Sequence, residues 1–357
     1  MGAPAIDRST YWLGKLVASA PALWFALGRA ESTLLEDKLE TIAIDAPIYV
    51  GGLARSGSTI VLEMLAAHSQ AASHRYQDFP FIPTPYVWGR ALQLNPARKT
   101  APAQERAHGD GMLITPQSPE AMEEALWMHF FPQAHRGVSH TLDGNTSNPR
   151  FERFYRNHIR KLLLLHNAQR YVCKSNYVGT RMGYLRTIFP DARFIIPVRE
   201  PANHIASLMR QHKRFCELGS KDPRIVEHMD SVGHFEFGLH RKPIHTGDTA
   251  AYEAIRAAWE NGDELGGWAI LWATVYAHIH AHMPPGALLL HFESLYTAPE
   301  EAVGRVLEAA GLPQDEALVA RFAAILRKPD YYESGFTPQE LARIREITAK
   351  TARLLGY

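Results

Sequence analysis

Residues 51–59 read Gly-Gly-Leu-Ala-Arg-Ser-Gly-Ser-Thr, between an apolar run ending at Val50 and a helix-forming run beginning at Ile60. Strand, glycine-rich turn and helix, in that order, make a cradle for an anion, because backbone N–H groups and a helix N-terminus point at one spot. Arg55 adds a cation to the turn, and Ser56, Ser58 and Thr59 add hydroxyls at the helix entrance around Gly57. From Gly52 the spacing fits G-x-x-x-x-G-[KST]-[ST], yet Ser58 stands where a nucleotide triphosphatase carries lysine. In phosphoryl transfer that lysine reaches the β- and γ-phosphates, and the hydroxyl beside it holds Mg²⁺. The anion here must be one that needs neither.

A phosphosulfate meets that condition. Its sulfuryl group carries little charge, and amides with one or two fixed cations stabilise the departing phosphate without a metal. The run from Tyr49 to His68 resembles the 5′-phosphosulfate loop of sulfotransferases that use 3′-phosphoadenosine 5′-phosphosulfate (PAPS). That loop is usually G-x-P-R-S-G-T-T, or carries lysine for the arginine in the cytosolic branch; here Ala54 replaces the proline and Ser58 a threonine. The stretch Asp191-Ala-Arg-Phe-Ile-Ile-Pro-Val-Arg-Glu-Pro201, continuing to Ser207, is similar to the family's 3′-phosphate motif: a buried strand ending in arginine, then proline, then a helix with serine eight residues after the arginine. The resemblance implies that Arg199 offers a charged fork and Ser207 a neutral hydrogen bond to that phosphate.

Three weaker likenesses extend the match. Tyr171-Val-Cys-Lys-Ser-Asn176 resembles the family's K-x-P segment after a strand, which implies Lys174 as a second cation on the transferring group, with Asn176 where proline is common. The run from Leu288 to Pro313 resembles the family's strand, E-x-L and proline-led helix. Arg327-Lys-Pro-Asp-Tyr-Tyr-Glu-Ser-Gly-Phe336 resembles late loops that close over the nucleotide, without their R-K-G glycine; this implies Arg327 and Lys328 as further 3′-phosphate contacts. The resemblance runs over residues 46–313.

Transfer to a hydroxyl or amine also needs a proton acceptor within hydrogen-bond reach of the nucleophile. Family members use a histidine or a carboxylate downstream of the phosphosulfate loop. Asp78, among aromatic and proline residues that would desolvate it, is the first choice, His74 the second and Glu124 the third. The expected reaction is in-line transfer of a sulfuryl group from PAPS to a small-molecule, carbohydrate or lipid acceptor. The rival readings are a degenerate phosphoryl-transfer enzyme and a nucleotide-binding protein without catalysis.

These residues need a scaffold. Residues 47–51, 171–174, 193–198 and 287–292 read as strands, the last two as continuous apolar runs expected of strands covered on both faces, separated by helical patterns over 58–68, 179–189, 201–215 and 265–282. Such alternation predicts an α/β fold with a central parallel sheet and helices on both sides; with the motifs, a P-loop NTPase-like sulfotransferase fold with helical insertions. Further helices are expected at Pro119–Phe131 and Phe151–Gln169, and residues 95–120 are loop-like before the first of these. We expect one domain over 1–357: a helical extension at 1–44, the core at 46–313, an insertion or lid at 213–262 and a helical segment at 314–357.

Composition bounds the rest. Hydrophobic content of 46% suits a chain with a substantial core, and a net charge of +1 supplies no global field for nucleic acid. Two cysteines cannot build a disulfide framework, which suits a reducing, cytoplasmic setting. Trp12–Leu27, interrupted by Lys15 and Pro21, falls short of the roughly 20 residues of a membrane span; it reads as a docked amphipathic helix, with peripheral membrane contact as the alternative. His278 and His282 are one turn apart but lack a third ligand in a recognised pattern, so no metal is expected. Oligomeric state is not legible.

Overall fold

The computed structural model describes residues 8–94, 102–106, 108–109, 111–135, 139–328 and 334–357. The start of the expected N-terminal extension, parts of the 95–120 loop and the middle of the late 327–336 loop lie outside the described residues. Among the described residues the strands are β1 (Ile48–Val50), β2 (Ala71–Ala72), β3 (Gln104–Glu105), β4 (Leu113–Ile114), β5 (Arg170–Lys174), β6 (Arg193–Val198) and β7 (Leu288–His291). Five form a parallel sheet in the order β2-β5-β1-β6-β7. β3 and β4 pair antiparallel as a separate short hairpin.

The apolar runs are continuous because both faces of the sheet are covered. Ile48, Val50, Val172 and Ile195 belong to one buried cluster, under the helices Ser58–Ala66 and Pro299–Ala310. Their alternates Tyr49, Tyr171, Cys173, Phe194 and Ile196 belong to the other, with the helices Pro149–His166 and Glu264–His282. Side chains in a strand alternate between faces, so one strand feeds two cores.

The N-terminal helices dock on this body. Glu31 pairs with Lys161 at 2.8 Å in a nearly dry setting, and Glu31 also accepts from the Val87 amide at 2.6 Å. Helix Arg8–Ser19 lies on Pro223–Val232 through Tyr11 and Lys15, both bonded to Glu227, leaving Trp12 and Leu16 exposed. Among the described residues, no helix is long and apolar enough to cross a membrane.

Two segments depart from expectation in ways that matter for the site. The helix expected from Pro119 begins at Glu124, because residues 116–120 instead run beside 74–77: Tyr76 N–H donates to Ser118 O, Gln77 N–H to Pro116 O and Glu120 N–H to His74 O. The helix expected to end at 215 continues to Lys221, since Gln211, Phe215, Leu218 and Gly219 keep one face buried. Pro223 then opens the next helix, whose Arg224 amide donates to the Asp222 side chain.

Candidate active site

The parallel register sets the geometry. Val50 lies beside Lys174 on one side and Ile195 on the other, so the carboxyl ends of β1, β5 and β6 open at one sheet edge, where ligands of open α/β sheets gather. The chain leaves β1 through a tight turn with Gly52, Arg55 and Gly57 at φ of 100°, 69° and 100°. Gly52 is required twice: its φ is left-handed, and a Cβ would lie 2.8 Å from the Pro197 carbonyl oxygen. A Cβ on Gly57 would lie 2.6 Å from the Phe292 ring. Helix Ser58–Ala66 starts at Gly57 without a side-chain cap.

Arg55 holds a backbone conformation that costs a non-glycine residue about 1–2 kcal/mol, and its neighbours fix it. Its Nε donates to Ser207 Oγ at 3.2 Å. One residue earlier, the Ala54 carbonyl oxygen lies 2.8 Å from His204 Nε2, while Trp272 Nε1 donates to His204 Nδ1 at 3.2 Å. Indole N–H only donates and a carbonyl only accepts, so the imidazole is neutral with its proton on Nε2. Burial, together with Arg199 and Arg55 nearby, pushes its pKa down to about 3 against the opposing pull of the Ala54 carbonyl.

Above the turn lies a cavity of about 510 Å³. Arg55, Gly57, Ser58, Thr59, Lys174 and Arg199 line it from the sheet edge. Arg199 is buried with its guanidinium 4.9 Å from the Phe292 ring centre. Arg106, beside the β3–β4 hairpin, also lines the cavity and donates to Thr59 Oγ1 at 3.3 Å. Facing these cations are Glu120, His234 and Glu236.

The two charge groups perturb each other. Burial pulls the Lys174 ammonium below its ordinary 10.5; Glu120 opposes that and Arg106 reinforces it. Burial works against the Glu120 charge, but Lys174 and a hydrogen bond from Tyr76 more than compensate, and its pKa falls below 4.5. His234 is pulled down by burial yet ends above 6.5, because Glu236 and Glu120 favour its charged form. Glu236 accepts from Asn176 Nδ2 at 2.5 Å. Perturbed, mutually dependent titrations gathered in a cleft are characteristic of functional sites.

Of the expected residues, Arg55, Gly57, Ser58, Thr59, Lys174 and Arg199 therefore meet at one cavity. Ser56 is fully buried within the turn, and Ser207 stands behind Arg55. The rest lie elsewhere. Asp78 and His74 do not border the cavity: both are buried, with Asp78 accepting from the Arg75 amide at 3.0 Å and bonded to His74 Nδ1 at 2.9 Å. His74 Nε2 in turn lies 2.8 Å from His158 Nε2. Glu124 also falls outside it, clamped by both Arg181 terminal nitrogens at 2.9 and 2.7 Å and by His135 at 2.6 Å. Burial opposes its charge, but these partners hold its carboxyl down to about 2. Arg327 and Lys328 are exposed and do not border the cavity; Arg327 donates to the Ala324 carbonyl of its own helix end.

Glu120, His234, Glu236, Arg106 and the turn-holding His204 escaped the sequence reading. His204 had a signal, lying five residues after Arg199 on the expected helix face. Glu120 had half of one, since it was in view as a neighbour of Glu124, but on a helix that begins later.

A model of the sulfotransferase family, described as "Sulfotransferase family", matches residues 47–230, more than half of the 357. Among solved structures, a sulfotransferase of Mycobacterium tuberculosis H37Rv superposes with a TM-score of 0.51 at 14% identity, covering 91% of this chain and 81% of that one. A sulfotransferase of Mycobacterium avium gives a TM-score of 0.49 at 14% identity, covering 90% and 80%. None of the curated proteins matches the sequence.

Proposed function

The chain belongs to the sulfotransferase family, and from that premise we propose that it moves a sulfuryl group from PAPS to a hydroxyl of an organic acceptor. The observation that carries the proposal is the convergence of Arg55, the 57–59 turn, Lys174 and Arg199 on one cavity that also holds ionised Glu120. The amides of 56–59 receive the 5′-phosphate at the uncapped helix start. Arg199 takes the 3′-phosphate. Arg55, fixed through Ser207, and Lys174 face the sulfuryl oxygens and the bridging oxygen, where charge grows as the S–O bond to the 5′-phosphate breaks. The acceptor oxygen forms the new S–O bond, Glu120 takes its proton, and 3′-phosphoadenosine 5′-phosphate (PAP) departs.

Purified protein, sulfur-labelled PAPS and an extract of host metabolites test this together. Label should appear in an organic product, and PAP should bind calorimetrically in the absence of Mg²⁺. Tight Mg²⁺-dependent ATP binding with no affinity for PAP, and no labelled product, would sink the reading.

The turn supplies a sharper prediction. Gly57→Ala forces a Cβ onto a backbone at φ 100° and into the Phe292 ring that supports Arg199. PAP affinity should drop about tenfold or more, with the far-ultraviolet circular dichroism unchanged. Unaltered affinity would mean that the turn does not hold the donor.

A further inference from the structure

A second cavity of about 410 Å³ lies between the N-terminal helices and the body, with Val17, Pro21, Trp24 and Phe25 on one side and Ile82 and Ala125 on the other. Its polar borders are few. The His129 ring is stacked on Phe25 at 3.6 Å, Asp230 is paired with His240 at 2.8 Å, and the Ser231 hydroxyl donates to the His228 carbonyl. Among the described residues, no lysine or arginine borders it, in contrast to the cationic cavity beside it. The two adjoin: Phe79, Met122 and Val232 belong to the walls of both. Helix Arg8–Ser19 lies directly on that shared wall, since a Cβ on Gly14 would come within 2.8 Å of the Phe79 ring.

Resting on the sulfotransfer reading, we propose that the acceptor is an amphiphilic alcohol with an unbranched alkyl chain. Its hydroxyl lies between Glu120 and Lys174, and its tail passes Phe79, Met122 and Val232 into the apolar chamber. A sugar would have no use for such a chamber, because its hydroxyls would be stripped of water without partners. A flexible chain suits two spaces that meet at three side chains, one of them an adaptable methionine.

Primary alcohols from butanol to decanol test the inference, by calorimetric binding to the full-length protein and by transfer from PAPS. Each added methylene should tighten binding and lower KM about fourfold until the chamber is full, with kcat nearly constant. Ala125→Trp should end that trend at a shorter chain and leave butanol unaffected, while Trp24→Ala should extend it. Transfer without chain-length dependence, or variants that shift butanol and decanol alike, would overturn the chamber and leave the sulfotransfer reading standing. Chain-dependent binding that Ala125→Trp cuts short, with no transfer to any alcohol, would keep the chamber and remove that reading.

Discussion

Glu120→Gln should lower kcat by a factor of about 10² to 10⁴, the usual worth of a positioned general base, while PAP binds with near-normal affinity. The substitution keeps the shape of the side chain and removes its capacity to take a proton. Glu120 suits the task because it lines the cavity and stays ionised under the influence of Lys174. Asp78→Asn is the contrasting case. It removes the carboxylate charge that strengthens the bonds from the Arg75 amide and His74, so it should lower the melting temperature and spare turnover per folded molecule. Turnover intact in Glu120→Gln and abolished in a stably folded Asp78→Asn would reverse the assignment.

What could be read from the sequence divides along the same line. The turn at 51–59 and the strand ending at Arg199 were legible because each is local: a glycine at left-handed φ, a buried run, and a proline at a helix start leave their marks within about a dozen residues. The two covered faces of the sheet were legible in the unbroken apolar runs. β2, only Ala71–Ala72, was too short to leave a pattern. The proposed proton acceptor was a different kind of problem. Pro119 signalled a helix start, and such a helix would have stacked Glu120 one turn above Glu124. Instead Arg75 pairs with Pro119 as an isolated bridge, so Glu120 turns into the cavity and Glu124 enters the dry network of Arg181 and His135. Asp78 lies off the cavity and accepts from the Arg75 amide of its own backbone turn. His234 and Glu236 lie between helices, in a stretch whose spacing has no period. Arg327 and Lys328 had the right charge, but their exposed place after helix Glu316–Ile325 depends on packing no motif reports.

Lys174→Met should cost about 10² to 10³ in kcat, in line with loss of one preorganised donor to a developing charge, and its pH profile should identify the cause. Lysine acts here in its charged form, so activity is lost as pH rises through its pKa. Burial has brought that value below 10.5, and the alkaline limb of kcat/KM should fall correspondingly early. Lys174→Arg keeps the charge at every accessible pH; it should recover part of the activity and show no such limb. The acid limb belongs to Glu120, whose pKa lies below 4.5 chiefly because Lys174 is beside it. Removing the lysine charge must therefore move the acid limb of Lys174→Met upward, and removing the carboxylate must move the alkaline limb of Glu120→Gln downward. One interaction energy governs both displacements, so they should match in size. Limbs that stay put in both variants would mean that the two groups do not share a reaction centre, whatever the loss in rate.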